Sequence, residues 1–347
     1  MSKQLILVTL IGVVLLSPPL WGQSKVGTTA APFLTIGVGS RPIAMGGAFV
    51  SIADDANAMF WNPAGLARLP KSEVILVHTK WLADMSFNFV GAAFNMGSAG
   101  TIGASATMLN VGSMEVTTET DQEGTGIFFD SYDLAATISY GYLIYDKFSI
   151  GTNLKYILQQ IWHEKATAVA FDLGILMITP LKDIRLGVNI SNFGTEMRME
   201  GKDLLTTHDP DPGKTGNNEN IYADIRTDSW PLPLTMRVGI SGEVIEDDNN
   251  RLTLALDWVH PNDNDEFIDL GAEYVLREVV ALRMGYHALR IQFDPFKLSE
   301  EDGGGGVTFG GGLKINLAQQ MLVKVDYAFE EFDRLGSIHK FSLGFAF

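Results

Sequence analysis

The sequence predicts an all-β protein, a transmembrane antiparallel β-barrel of about 14 strands behind a short helix- and turn-like N-terminal segment. Three observations predict it. From Glu73 to Phe347, apolar residues alternate with polar or small ones, the period of a strand with two unlike faces. The alternating segments run about 11–12 residues, longer than the ~5–6 of a globular strand and matched to the ~9–11 of a tilted membrane strand. Their connections are short after even-numbered segments and, in several cases, long after odd-numbered ones, the layout of a porin-type barrel.

Composition narrows the functional classes. The 347 residues contain no cysteine, which excludes disulfide scaffolds, zinc ribbons, iron–sulfur clusters and thiol catalysis. A balance of 41 acidic to 25 basic side chains, net −16, argues against nucleic acid as a partner, because phosphate needs a basic face. A hydrophobic content of 46% is too high for a disordered chain.

Taken in order, residues 1–24 read as a signal peptide: Lys3, the apolar run Leu5 to Leu16, the breaker Pro18-Pro19 and the small-x-small site Gly22-Gln23-Ser24. That run is too short to span a bilayer, which takes roughly 20 residues. Residues 25–70 follow. Arg41-Pro42 can open a short helix through Ala44, Met45, Ala48 and Phe49, weakened by Gly46-Gly47. Asp54 or Asp55 can cap a second helix through Ala56, Met59 and Phe60, and Asn62-Pro63 ends it. The strand segments then fall near 73–82, 86–96, 99–111, 130–145, 147–162, 166–179, 182–193, 232–245, 250–260, 265–276, 279–289, 306–317, 320–331 and 336–347. The long connections are 112–129, 194–231 and 290–305, expected outside the cell, with both ends of the barrel periplasmic.

Lys155, Asp172, Arg185, Arg237, Asp257, Glu273, Arg283, Lys314, Lys324 and Asp326 share the parity of the small residues. In a soluble sandwich that face would meet water; in a membrane barrel it lines the lumen. Parity alone does not choose. Strand length, loop asymmetry and an aromatic chain end on a signal-bearing sequence favour the membrane. The terminal Phe347 looks like the assembly signal of outer-membrane barrels, although an ordinary strand can also stop at phenylalanine.

Residues 39–69 read GSRPIAMGGAFVSIADDANAMFWNPAGLARL. This stretch resembles the N-terminal signature of the PorV/PorQ family of bacterial outer-membrane proteins: Arg-x-x-Ala-Met-Gly-Gly-Ala, then Asp-Asp, then Asn-Pro-Ala-Gly-Leu. Val26 to Ala30, the Phe33-Leu34 pair and the Tyr142–Phe148 hairpin are similar too. The resemblance implies a barrel related to the FadL fatty-acid transporter, with residues 25–70 as a hatch inside a barrel of residues 71–347. It also implies a role in type IX secretion, docking cargo or partner subunits; the alternative is passive transport of hydrophobic small molecules. The hatch residues carrying it are Arg41, Met45, Gly46, Gly47, Asp54, Asp55, Asn62, Pro63 and Gly65, in structural or ligand-contacting roles. Arg41, Asp54 and Asp55 would be expensive to bury unpaired, so a mutual ion pair or contacts to lumen charges are expected.

Other chemistry finds no support. The glycines at 303–306 and 310–312 lack the following Lys-Ser/Thr of a phosphate loop. The acidic stretches Asp209–Gly213 and Asp263–Glu266 complete no calcium loop, and the six histidines lack metal-ligand spacing. No Gly-x-Ser-x-Gly elbow exists. The reading is thus a non-enzymatic outer-membrane barrel without cofactor, whose partners are membrane lipid, the barrel assembly machinery, and either secretion components or a hydrophobic small molecule.

Overall fold

The computed structural model describes residues 27–180, 184–214, 220–289, 306–318, 321–332 and 336–347. The expected signal peptide, the 290–305 connection and the turns at Leu181 and Gln319 lie outside them. Fourteen long strands form one antiparallel ring. They are β1 (Glu73–Lys80), β2 (Ser86–Asn95), β3 (Thr101–Glu115), β4 (Phe128–Tyr145), β5 (Phe148–Ile161), β6 (Glu164–Ile178) and β7 (Arg185–Gly194). The second half is β8 (Thr235–Glu246), β9 (Asn250–Pro261), β10 (Phe267–Leu276), β11 (Val280–Leu289), β12 (Gly306–Ala318), β13 (Met321–Glu331) and β14 (Ser337–Ala346). Each strand pairs with the next, and β14 closes on β1 in the register Glu73↔Ala346 to Lys80↔His339. Closure leaves no unpaired edge, which a sheet bordered by hydrocarbon requires. No helix among the described residues is long and apolar enough to cross a membrane.

The parity of the charged residues is the inward one. Lys155, Asp172, Asp257, Glu273 and Arg283 are all buried in the lumen, while Phe171, Leu282, Met284 and Leu254 on the opposite parity stand exposed on the outer wall. Polar-in and apolar-out is the inverse of a soluble core and fits lipid outside. Both barrel termini and the even-to-odd turns share one end, the turn end; the longer connections crowd the other, the loop end.

Two connections differ from expectation. The β3–β4 ladder passes a bulge at Gly112 (φ 90°) and continues to Glu115↔Phe128, so the expected 112–129 loop shrinks to 116–127. The 194–231 connection is not plain coil. It folds on itself through the pairs Leu205–His208 with Ile221–Asp224 and Met197–Arg198 with Ser229–Trp230. Strands of two to four residues are too short to show a period.

The segment before β1 occupies the lumen. Helix α1 spans Ser40–Ala44 and helix α2 spans Ala58–Trp61, followed by a 3₁₀ run at Pro63–Arg68. The first helix was expected to reach Phe49, but Gly46 and Gly47 take left-handed backbone (φ 67° and 86°) and end it. The second begins later than expected, with Asn57 at its N-cap instead of Asp54 or Asp55. Asp55 still supports its start, with Oδ1 accepting the Asn57 N–H at 2.9 Å, while its Oδ2 and the Asp54 carboxylate face Arg41.

Candidate functional site

The plug is almost sealed within the wall: Ala44, Met45, Ala48, Phe49, Val50, Ala53, Ala56, Ala64 and Leu66 have no exposed surface. Such contact between plug backbone and barrel is made by glycines on the inward face of the wall. A β-carbon at Gly151 would land on the Pro63–Ala64 peptide, at Gly187 on Val50, and at Gly285 on the Met45–Gly46 peptide. Gly141↔Gly151↔Gly174 are register partners on β4, β5 and β6, and Gly187↔Gly239 on β7 and β8, forming a girdle at the level of the plug. Gly46 in turn presses on the backbone of Leu270 and Tyr286. Gly47 lies against Asp269, and Gly65 against the Ala53 carbonyl.

One side of the plug is held by charge. Arg41 donates to Asp54 (2.5 Å), Asp55 (2.8 Å) and both carboxylate oxygens of Glu273 on β10 (2.9 Å each). Arg283 joins Glu273 (2.6 Å) to Asp326 (2.6 Å), and Lys324 pairs with Glu73 at 2.8 Å. Burial alone would raise the Asp54 carboxyl, but Arg41 beside it prevails and holds it below its ordinary value. Toward the loop end, Asp257 on β9 accepts the Phe49 and Val50 N–H groups through one oxygen, 2.8 Å each. Lys155 pairs with Asp172 at 2.7 Å, and His287 with Asp269 at 2.9 Å. Asn62 fixes the turn: its Nδ2 donates to the Val50 (2.8 Å) and Ile175 (3.1 Å) carbonyls, and its Oδ1 accepts from Ala64 N–H. Pro63 then starts the 3₁₀ run with its carbonyl against Gly151.

The other side is apolar. Met59 lies between Gly91 on β2 and Gly103 on β3, beside Ile75, Val77, Phe87 and Phe89, all buried. Ile36, Phe60, Trp81 and Leu109 pack against this cluster and stay partly exposed. Trp81 meets Phe87 (6.3 Å between centroids) and Phe332 (5.5 Å), and Lys340 Nζ stands 5.5 Å over its ring. A second cluster packs Phe33 and Leu34 on Ile157, Ala166 and Ala168 of β5 and β6 and on Met197 and Leu232 of the long connection.

Two concavities accompany the plug. A polar vestibule of about 220 Å³ lies under it, bounded by Arg41, Asp54, Asp55, Glu73, Arg283 and Lys324. A larger groove of about 910 Å³ lies on the outer wall, between outward side chains such as Ile240, Leu256, Ala272, Met284 and Tyr286. It lies on the outer face of the wall and not in the lumen. No group of three or more metal-ligating side chains occurs among the described residues.

The structure thus brings Arg41, Asp54 and Asp55 together, places Met45, Gly46, Asn62 and Pro63 at the girdle, and leaves Phe347 apart. Its N–H donates to Ser72 at 2.9 Å, and its ring is exposed outside the barrel. Reading the sequence missed the acceptors on the wall, Glu273 and Asp257. Their parity had placed them in the lumen, but no local signal names their partners.

The fold is similar to that of solved hydrocarbon channels and transporters. The Pseudomonas putida toluene transporter TodX matches with a TM-score of 0.57 at 13% identity, over 89% of this chain and 98% of that one. The CymD monoaromatic hydrocarbon channel matches at 0.56 and 13%, over 90% and 97%. The Ralstonia pickettii toluene transporter TbuX matches at 0.54 and 12%, over 89% and 97%. No curated protein matches the chain in sequence. The model of an uncharacterised protein family, UPF0164, matches residues 21–200, just over half of the sequence, and the chain belongs to that family.

Proposed function

We propose that this chain is a passive, non-enzymatic channel for hydrophobic small molecules in a bacterial outer membrane, exported by its first 24 residues, with its long connections outside the cell. The observation that carries the proposal is the partly exposed apolar surface formed by Ile36 and Phe60 of the plug with Trp81 and Leu109 of the wall, in a lumen otherwise lined mostly by small, polar and charged side chains. Partly exposed aromatic and aliphatic side chains inside a polar barrel give an apolar solute a surface to leave water for. The likeness in fold to toluene transporters supports the same reading.

The test is uptake of toluene into vesicles carrying the purified chain. Trp81→Asp together with Phe60→Asp should reduce uptake on the order of tenfold, because covering one apolar side chain is worth about 1.5–3 kcal/mol and a carboxylate offers the solute no such surface. Undiminished uptake, or none by the native chain, would remove the proposal.

A second reading, PorV/PorQ-like docking of secreted cargo in type IX secretion, is favoured by a different observation. On the 195–234 connection, Tyr222 is 83% exposed, and Ile225 and Trp230 are exposed as well. Replacing these three by serine should abolish cargo retention on the cell surface under this reading and leave toluene uptake untouched under the first.

A further inference from the structure

The inward positions of β7 are Arg185, Gly187, Asn189 and Ser191, each polar or glycine. On β8 they are Thr235, Arg237, Gly239, Ser241 and Glu243, again polar or glycine from the loop end to the turn end. No apolar side chain of the wall interrupts this stripe. The plug crosses it at Val50–Ser51, where Gly187 lets the backbone come close.

Buried polar atoms without a partner in the protein collect along the crossing. Both amide atoms of Asn189, Arg237 Nε, Asp257 Oδ1 and Ser51 Oγ are such atoms, and Asn189, Asp257 and Ser51 have no exposed surface. Asn189 stands opposite Arg237 in the β7–β8 register. Arg237 forms no ion pair among the described residues, and its guanidinium lies 5.3 Å over the Trp61 ring. Below the plug, Arg185 reaches Ser241 (3.3 Å) and Glu243 (2.6 Å) near the turn end of the barrel.

The chemistry of these atoms identifies what they bind. A metal ion would ask for acceptors alone and an anion for donors alone. Here Asn189 Nδ2 and Arg237 Nε donate, Asn189 Oδ1 and Asp257 Oδ1 accept, and Ser51 Oγ does both. Water is the small molecule that satisfies a mixed set, with two to four hydrogen bonds each. We propose that the β7–β8 wall and the Val50–Ser51 stretch of the plug enclose a hydrated seam through which water and small inorganic ions pass the plug, a permeability separate from the apolar surface.

The chain has no cysteine, so single introduced thiols report without background. Ser51→Cys is placed in the full chain, inserted in vesicles in one orientation, and Ag⁺ is the probe. Ala93→Cys, buried on the apolar side of the lumen, is the control. Thiol reactivity follows access, so Ser51→Cys should react on the order of tenfold faster than Ala93→Cys, with Ag⁺ added to either face. Adding Asn189→Leu, which removes both unpartnered amide atoms, should slow the reaction from the loop side to the control rate. Equal rates for Ser51→Cys and Ala93→Cys, or access from one face only, would overturn the seam. If Ser51→Cys does not fold, Ser241→Cys below the plug serves instead: modification by Ag⁺ added at the loop end supports the seam, and its absence overturns it. Silver access involves no hydrophobic solute, so its failure is distinct from failure of toluene uptake.

Discussion

The two flanks of the plug meet the same barrel by opposite means. Against β2 and β3 the contact is Met59 in a hollow lined by glycine, phenylalanine and valine, and the stabilisation comes from apolar area removed from water. Against β8 to β13 it is Arg41, Asp257, Glu273 and their partners, where every group withdrawn from water must be matched by another. An apolar contact tolerates small shifts because dispersion is non-directional. A charge network does not, since one missing member leaves the rest buried and unpaired. The apolar flank is therefore suited to receive an apolar solute, and the charged flank to hold the plug in place.

The largest expected effect tests the charged flank. Arg41→Ala leaves Asp54, Asp55 and Glu273 facing one another and should lower the unfolding stability of the barrel by about 3–5 kcal/mol, read from denaturant midpoints on gels of heat-modifiable migration. Replacing Asp54 and Asp55 by asparagine in that variant should restore part of the loss, because coupled charges are non-additive. A loss under about 1 kcal/mol would mean that solvent screens the network, and the contrast between flanks would vanish.

Met59→Ala tests the other flank by opening a cavity, at about 2–5 kcal/mol in the same assay. Here no charge change should rescue the variant, whereas Gly91→Ala, which adds a methyl beside the vacated Met59 position, should recover part of the loss.

Glycine substitutions sharpen the comparison at a smaller scale. Gly151→Ala drives a methyl into the Pro63–Ala64 peptide and should cost about 1–3 kcal/mol, since backbone cannot step aside. Gly91→Ala in the native chain meets the Met59 terminal methyl, which can rotate away, and should cost less than Gly151→Ala. The reverse order would show that rigidity lies on the apolar flank.

The smallest effect is one of pH. The Asp54 carboxyl is held below its ordinary value, so its contribution is fully present above the unfolded value of about 3.9 and is lost as pH falls through the lower folded value. Conductance of the native chain in planar bilayers should rise as pH falls below the ordinary carboxyl range and Arg41 loses this partner. Asp54→Asn should remove that component of the rise, and an unchanged profile would show that Asp54 carries none of it.

Much of the fold was legible because its signals are local. Alternation such as Leu252, Leu254, Leu256 and Trp258 against Thr253, Ala255 and Asp257 marks a strand and its two faces without knowledge of any neighbour. Turn residues and Asn62-Pro63 mark ends in the same way. The Gly112 bulge was missed because a single inserted residue shifts parity by one and imitates the end of a strand. The later start of the second helix was missed, yet Asp55 serves both ends: one oxygen accepts the Asn57 N–H at the start of the helix and the other meets Arg41, 14 residues away.

Sequence by itself determined the number of strands, their approximate limits, and which side chains share a face, because a period of two is a property of the chain at short range. It also placed Arg41 with two acids to hand and glycines where a close approach is allowed. Tertiary structure alone decided what covers each inward face. Closure of β14 on β1 joins residues from opposite ends of the chain, and the division of the lumen into a charged and an apolar flank depends on which wall residues the plug meets. Parity says to which side of a sheet a residue points; only three-dimensional packing supplies the partner that its charge or its methyl groups will find there.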